Sequence, residues 1–193
     1  MAGQLSLFGA DTGPAGLDDL DGLLAGPGQV VRGPGGARVS VVVGDGWRVA
    51  AIAAEYAARG LESELGHTED GQPAVRTAFD PALEPLAARW MRGSRKAVPA
   101  GFVLDGPRLR CWALAAGRAD PAGYLLALGP HDRPTWRAMG KALAAAGFPA
   151  EFVGPRAHGP GYRITGSRRL NRLAELLGVP PDEADWPDSL VPP

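Results

Sequence analysis

The sequence predicts an α+β protein in which one unit is written twice with pseudo-two-fold symmetry, a duplicated αββαββ(α) pattern. Three observations carry this. Helical and strand periodicities alternate in the same order in both halves. In each half an Ala-rich helix ends in a glycine, Gly60 or Gly147. The segments after those glycines are alike, Leu61-Glu62-Ser63-Glu64-Leu65 and Phe148-Pro149-Ala150-Glu151-Phe152. The resulting partition is a tail over 1–16, a first half over 17–100, a second half over 101–178 and an acidic, Pro-rich tail over 179–193.

Asp18 to Leu24 reads as a short helix with an acidic first turn, stopped at Gly26-Pro27-Gly28. Gln29–Arg32 and Ala37–Val43 are strands around Gly33-Pro34-Gly35-Gly36, hence a hairpin. Trp47 to Arg59 is a helix with Val49, Ile52, Ala53, Tyr56 and Ala57 on one face. Leu61–Gly66 and Ala74–Phe79 form a second hairpin around Thr68-Glu69-Asp70-Gly71. Asp80 caps a helix that has Pro81 at its first position and runs to Arg92. The pattern then restarts, with a helix over Pro107–Ala119, a strand over Tyr124–Leu128 and a helix over Pro134–Ala146. Ala150–Val153 and Tyr162–Thr165 are strands, and Ser167 caps a last helix to Leu177. On this reading the second half has one clear strand, not two, after its first helix.

The chain has 193 residues, is 45% hydrophobic and so can build a core, and contains one cysteine, Cys111. A single cysteine excludes an intramolecular disulfide framework and a cysteine-rich metal site. His67, His131 and His158 show no metal-ligand spacing. There is no signal-peptide pattern and no long uninterrupted apolar run, so a cytoplasmic protein without a membrane partner is expected. Net charge is −1, but Ala88 to Glu175 holds 15 Lys/Arg against five Asp/Glu. That segregation is the electrostatic footprint of a nucleic-acid partner, masked in the total by acidic flanks; the alternative is charge that segregates on a solvated surface.

The N-terminus carries Gln4-Leu5-Ser6-Leu7-Phe8. This peptide resembles the one by which bacterial polymerases and repair proteins hold the replicative sliding clamp. The resemblance implies that Leu7 and Phe8 plug an apolar pocket, that Leu5 fills a side pocket and that Gln4 hydrogen-bonds at its rim. Gly9 to Gly16 is polar and turn-forming, which suits a flexible tether. The competing reading is a short N-terminal strand or staple tied onto the domain.

The duplicated order, with Leu20–Gly28 (LDGLLAGPG) and Ala113–Pro121 (ALAAGRADP), resembles the LAGLIDADG homing endonucleases in their single-chain form. Ser94-Arg95-Lys96-Ala97-Val98-Pro99 resembles the join between their halves. The resemblance spans about residues 17–178. It implies a saddle-shaped antiparallel sheet, in a monomer that is a pseudo-dimer. The two signature helices would pack at the pseudo-two-fold axis, which needs small residues. Gly22 and Gly26 supply them on one side, and Ala113, Ala115, Ala116 and Gly117 on the other. The last acid of each motif would bind a divalent metal at the saddle floor.

The sequence departs from that pattern at the acids. Pro27 stands where the first should be. Asp120 is retained in the second motif, and Arg118 replaces the acid two residues before it. Asp18, Asp19 and Asp21 lie near the first motif and read as helix-dipole partners rather than ligands. Asp120, the sole catalytic candidate, reads more readily as a helix-end or turn residue before Pro121. Lys96 matches a lysine the family places near its metals and here becomes a phosphate contact. The resemblance offers DNA contacts at Arg32, Arg38, Arg76, Arg118, Arg156 and Arg163, and phosphate contacts at Arg95, Lys96, Arg168 and Arg169. Each could instead be an ordinary surface arginine.

The expectation is a catalytically inactive, DNA-binding accessory protein of replication or repair, held at the sliding clamp, replisome-associated and without a cofactor. Two alternatives stand beside it: a clamp-directed nuclease using Mg2+, and a regulator that occupies the clamp pocket without binding DNA.

Overall fold

Glycine and proline divide the chain where its periodicity changes, and the elements follow those divisions. The structure, a computed structural model, describes residues 14–156 and 159–187. The clamp-like peptide Gln4–Phe8 and His158 lie outside the described residues.

A 3-10 turn, Leu17–Leu20, leads into α1 (Asp21–Ala25). Strands β1 (Gln29–Gly33) and β2 (Gly36–Val42) form the first hairpin, followed by α2 (Gly46–Ala57). Strands β3 (Ser63–His67) and β4 (Pro73–Thr77) form the second, followed by α3 (Glu84–Trp90). Asp80 accepts from the Ala82 amide as the expected cap. A small hairpin, β5 (Met91–Arg92) and β6 (Arg95–Lys96), joins the halves.

The second half repeats the order with α4 (Gly106–Ala116), β7 (Gly117–Asp120), β8 (Gly123–Ala127) and α5 (Arg133–Ala145). It closes with β9 (Glu151–Val153), β10 (Gly161–Ile164) and α6 (Ser167–Leu177). Each half makes one four-stranded antiparallel sheet, in the orders β1-β2-β4-β3 and β7-β8-β10-β9. The two topologies are the same, as the duplication requires.

Three expectations change. The helix expected to reach Ala119 stops at Ala116, because Gly117 turns extended and Gly117–Asp120 forms β7. The second half therefore has both strands of its first hairpin. An Ala-rich run with no proline hid the boundary, and the glycine was the stop. Ser167 is the first residue of α6 and makes no cap; Gly166, at φ 89°, holds the N-cap position. In the acidic C-terminal segment Trp186 is 1% exposed and donates to the Gly178 carbonyl, so the chain there is packed down.

Helix positions four apart fill the core beneath each sheet. Ile52 and Tyr56 of α2 are buried with Val39, Val41 and Val75. Met139 and Leu143 of α5 are buried in the same continuous core as Tyr124, Leu126 and Ile164. Each such aliphatic side chain contributes about 2 kcal/mol of burial. At the centre α1 lies along α4. A Cβ on Gly22 would fall 1.9 Å from the Arg108 carbonyl oxygen, and one on Gly26 would fall 2.8 Å from the Trp112 ring. The close backbone approach expected of the signature helices is therefore real. Among the described residues no helix is long and apolar enough to cross a membrane.

Candidate nucleic-acid interface

The C-terminal ends of α1 and α4 are where the LAGLIDADG resemblance leads one to expect acids. Each holds a buried cation instead. Lys96, from β6, donates to the carbonyls of Gly26 and Gly28, both at 2.9 Å, and lies 2.5 Å from Asp132 Oδ2. Burial pushes the Lys96 pKa down, opposed by the Asp132 carboxylate. Arg48, from α2, donates to the carbonyls of Ala113, Leu114 and Gly117 at the end of α4, and its Nε pairs with Asp45 at 2.9 Å. Both cations are 5% exposed. They donate to carbonyls at and just beyond the helix ends, where a positive charge meets the negative end of the helix dipole.

The two arrangements are pseudo-equivalent. Asp45 and Asp132 are the N-cap residues of α2 and α5, the helices that follow the first hairpin of each half. Each cation also ties one half to the other: Arg48 comes from the first and grips α4, and Lys96 joins α1 to Asp132. Lys96 is thus a buried brace whose ammonium is engaged by the Gly26 and Gly28 carbonyls and by Asp132. Sequence reasoning missed Arg48, although the spacing Asp45-x-x-Arg48 at a helix start was its available signal.

Asp120 is placed elsewhere. It faces Gly123 across a two-residue turn, as Gly33 faces Gly36. Its structural counterpart is therefore Gly33 and not Pro27. Three residues along β7 put it about 10 Å beyond the helix end. Arg163 holds its carboxylate at 2.6 and 3.2 Å, and the Ala122 amide donates to it at 3.1 Å. The Arg163 bond keeps its carboxyl below the usual range.

The acids at and before the start of α1 are also engaged, at the opposite end of the helix. Buried Asp21 accepts from Trp90 Nε1 at 2.6 Å and from Arg89 and Arg108. Asp19 pairs with Arg59, and Asp18 with Arg89. Cys111 is buried on α4, and that burial pushes its thiol pKa up. A cavity of about 570 Å3 lies near the N-terminal end of α4; of its charged groups, Asp19, Glu55, Arg59 and Arg110 are bonded among themselves and Asp105 pairs with Arg108.

Strand register sorts the arginines by face. Arg38 is opposite Val31, and Arg76 is opposite Ser40 and Glu64, on the face turned away from the core. Arg118, Leu125, Arg163 and Glu151 form one row across the second sheet on its corresponding face. Arg32 has the other parity: it is opposite buried Ala37 and reaches Glu84 at 3.5 Å. It therefore faces the helices. Arg163 is shared by Asp120 and Glu151, so its positive charge is fully offset in that part of the row. Arg156 is exposed on the β9–β10 connection. Arg168 and Arg169 are exposed in the first turn of α6, away from the sheet faces, and Arg169 donates to the Thr165 carbonyl.

The architecture is a homing-endonuclease-like fold. One solved structure with it, the homing endonuclease I-WcaI bound to its DNA recognition sequence, matches with a TM-score of 0.57. The match covers 84% of this chain and 81% of that one, at 10% sequence identity. No protein-family model and no curated protein matches the chain. At that identity the likeness establishes the fold.

A divalent metal, which the homing-endonuclease resemblance implies, does not fit the residues present. Hard cations need several oxygen ligands. Here the carbonyl oxygens at both helix ends are taken by Lys96 and Arg48, and two positive charges occupy the floor. Among the described residues no cluster of three or more His, Cys, Asp or Glu could hold a metal ion.

Proposed function

We propose that this chain is a DNA-binding accessory protein without nuclease activity, brought to a sliding clamp by Gln4, Leu5, Ser6, Leu7 and Phe8. The observation that carries the loss of catalysis is the pair of buried cations, Lys96 and Arg48, at the ends of α1 and α4. The carboxylates beside that floor, Asp132 and Asp45, are ion-paired to Lys96 and Arg48 rather than left to hold a metal and activate water.

DNA binding is supported by the fold and by the exposed sheet faces. A solved protein of this fold is bound to DNA. Arg38, Arg76 and Arg118 stand on faces turned away from the core, and strands are suited to gripping a duplex from such a face. The clamp reading rests on the peptide itself. A tether of this kind raises local concentration, so modest affinity for DNA suffices.

The deciding experiment measures binding of the purified protein to its cognate sliding clamp, wild type against Leu7→Ala/Phe8→Ala. Micromolar binding lost in the double variant is expected. Equal binding by both proteins removes the clamp from the proposal. A second reading, a clamp-pocket regulator that ignores DNA, draws on the neutralisation of Arg163 by Asp120 and Glu151. A wild type that binds clamp and no duplex selects it.

A further inference from the structure

The hairpin that joins the halves carries two arginines with different fates. Arg92 turns its guanidinium onto the carbonyls of Ala88, Arg89 and Met91, at the end of α3. Arg95, opposite it in the hairpin, is exposed and makes no ion pair among the described residues. It lines a cavity of about 380 Å3 together with Gln29, Ser94, Lys96, His131 and Asp132.

The chemistry of this cavity is one-sided. Asp132 is its sole carboxylate among the lining residues; its charge is neutralised by Lys96 at 2.5 Å, and it accepts a hydrogen bond from Gln29 Nε2 at 3.0 Å. The groups left to meet a ligand are a guanidinium, a hydroxyl and an imidazole. No Phe, Tyr or Trp lines the cavity, so it lacks the broad apolar platform on which a nucleobase usually stacks. A fork of guanidinium donors beside a hydroxyl is the arrangement that grips phosphate oxygens. Gln29 opens β1 and shares the face of Ser40, its register partner, so the cavity adjoins the exposed face of the first sheet.

We infer that this cavity is a phosphate seat in which Arg95, Ser94 and His131 hold one phosphate at the join of the two halves. The inference rests on the DNA-binding reading for its ligand, a backbone phosphate of duplex DNA. Inorganic phosphate is the other source of the same chemistry. The Lys96–Asp132 brace fixes the wall of the seat and does not itself contact the anion.

Two measurements on the full chain separate the inference from the reading beneath it. The first is duplex binding by fluorescence anisotropy across a salt series, for wild type, Arg95→Ala and Arg95→Lys. A phosphate contact contributes about −0.9 to the slope of log affinity against log salt. Arg95→Ala is expected to bind every duplex sequence more weakly and to lose about one unit of that slope, with Arg95→Lys restoring most of the slope. Arg95 is exposed, so its melting temperature is expected to stay at the wild-type value.

The second is a titration with inorganic phosphate read by amide chemical shifts at Ser94, Arg95 and His131. Wild type that binds DNA with a slope unchanged by Arg95→Ala overturns the seat and leaves DNA binding standing. Phosphate shifts at those three amides without any duplex binding uphold the seat and overturn the DNA reading. Neither duplex binding nor phosphate shifts overturns both.

Discussion

Lys96 Nζ lies 2.5 Å from Asp132 Oδ2 while its remaining donors close the carbonyls of Gly26 and Gly28. One side chain thus fastens the end of α1 in the first half to the start of α5 in the second. Removing one member of a buried pair leaves the other charged and without a partner. Lys96→Met is expected to lose about 3–5 kcal/mol of stability in urea denaturation. Lys96→Met/Asp132→Asn should recover part of that loss, because the stranded charge is gone. A single variant as stable as wild type would remove the brace from this account.

The contact between α1 and α4 depends on an absent side chain. Gly22→Ala would place a methyl 1.9 Å from the Arg108 carbonyl oxygen, which is backbone and cannot swing away. A loss of about 3 kcal/mol or more is expected, read as a fall in melting temperature. Gly46→Ala at the start of α2 is the control, since its added methyl meets nothing within 4 Å. It should change stability by about 1 kcal/mol or less.

Strand parity separates arginines that composition cannot. Arg38→Ala and Arg118→Ala are each expected to weaken duplex binding and to lower the salt slope by about one. Arg32→Ala should leave both unchanged, because Arg32 faces the helices and pairs with Glu84. Anisotropy titrations of the three variants over a salt series check this. Equal losses from all three would mean that sheet parity does not define the DNA face.

The Asp120–Arg163 pair makes part of the stability dependent on pH. The Asp120 carboxyl is held low by the Arg163 hydrogen bond, so its folded-state pKa lies below the unfolded value of about 3.9. Its contribution is present above the unfolded value and is lost as pH falls through the folded one. Asp120→Asn keeps an acceptor for the Ala122 amide and removes the charge. The variant should be less stable than wild type at neutral pH, with the difference closing in acid. Denaturation curves between pH 7 and pH 2 test the sign.

The sequence by itself determined the duplication, the order of elements apart from β7 and the small β5–β6 hairpin, and the need for small residues at the central helices. Those features are local: a hydrophobic period, a glycine at a helix end, a proline after a turn. It also showed that Pro27 removes one acid, since proline carries no ligand whatever its surroundings. The tertiary structure decided the rest. Only the β7–β8 register shows that Asp120 belongs to a hairpin tip and not to a helix end. Only the meeting of the halves shows that Lys96 and Arg48 occupy the floor, because their partners lie about 70 residues away in the chain and no periodicity links them. Strand parity, which puts Arg32 on the helix-bearing face beside Glu84 and Arg38 on the opposite face, depends on pairing between strands. Charge and spacing named the candidate residues, and long-range packing assigned their roles.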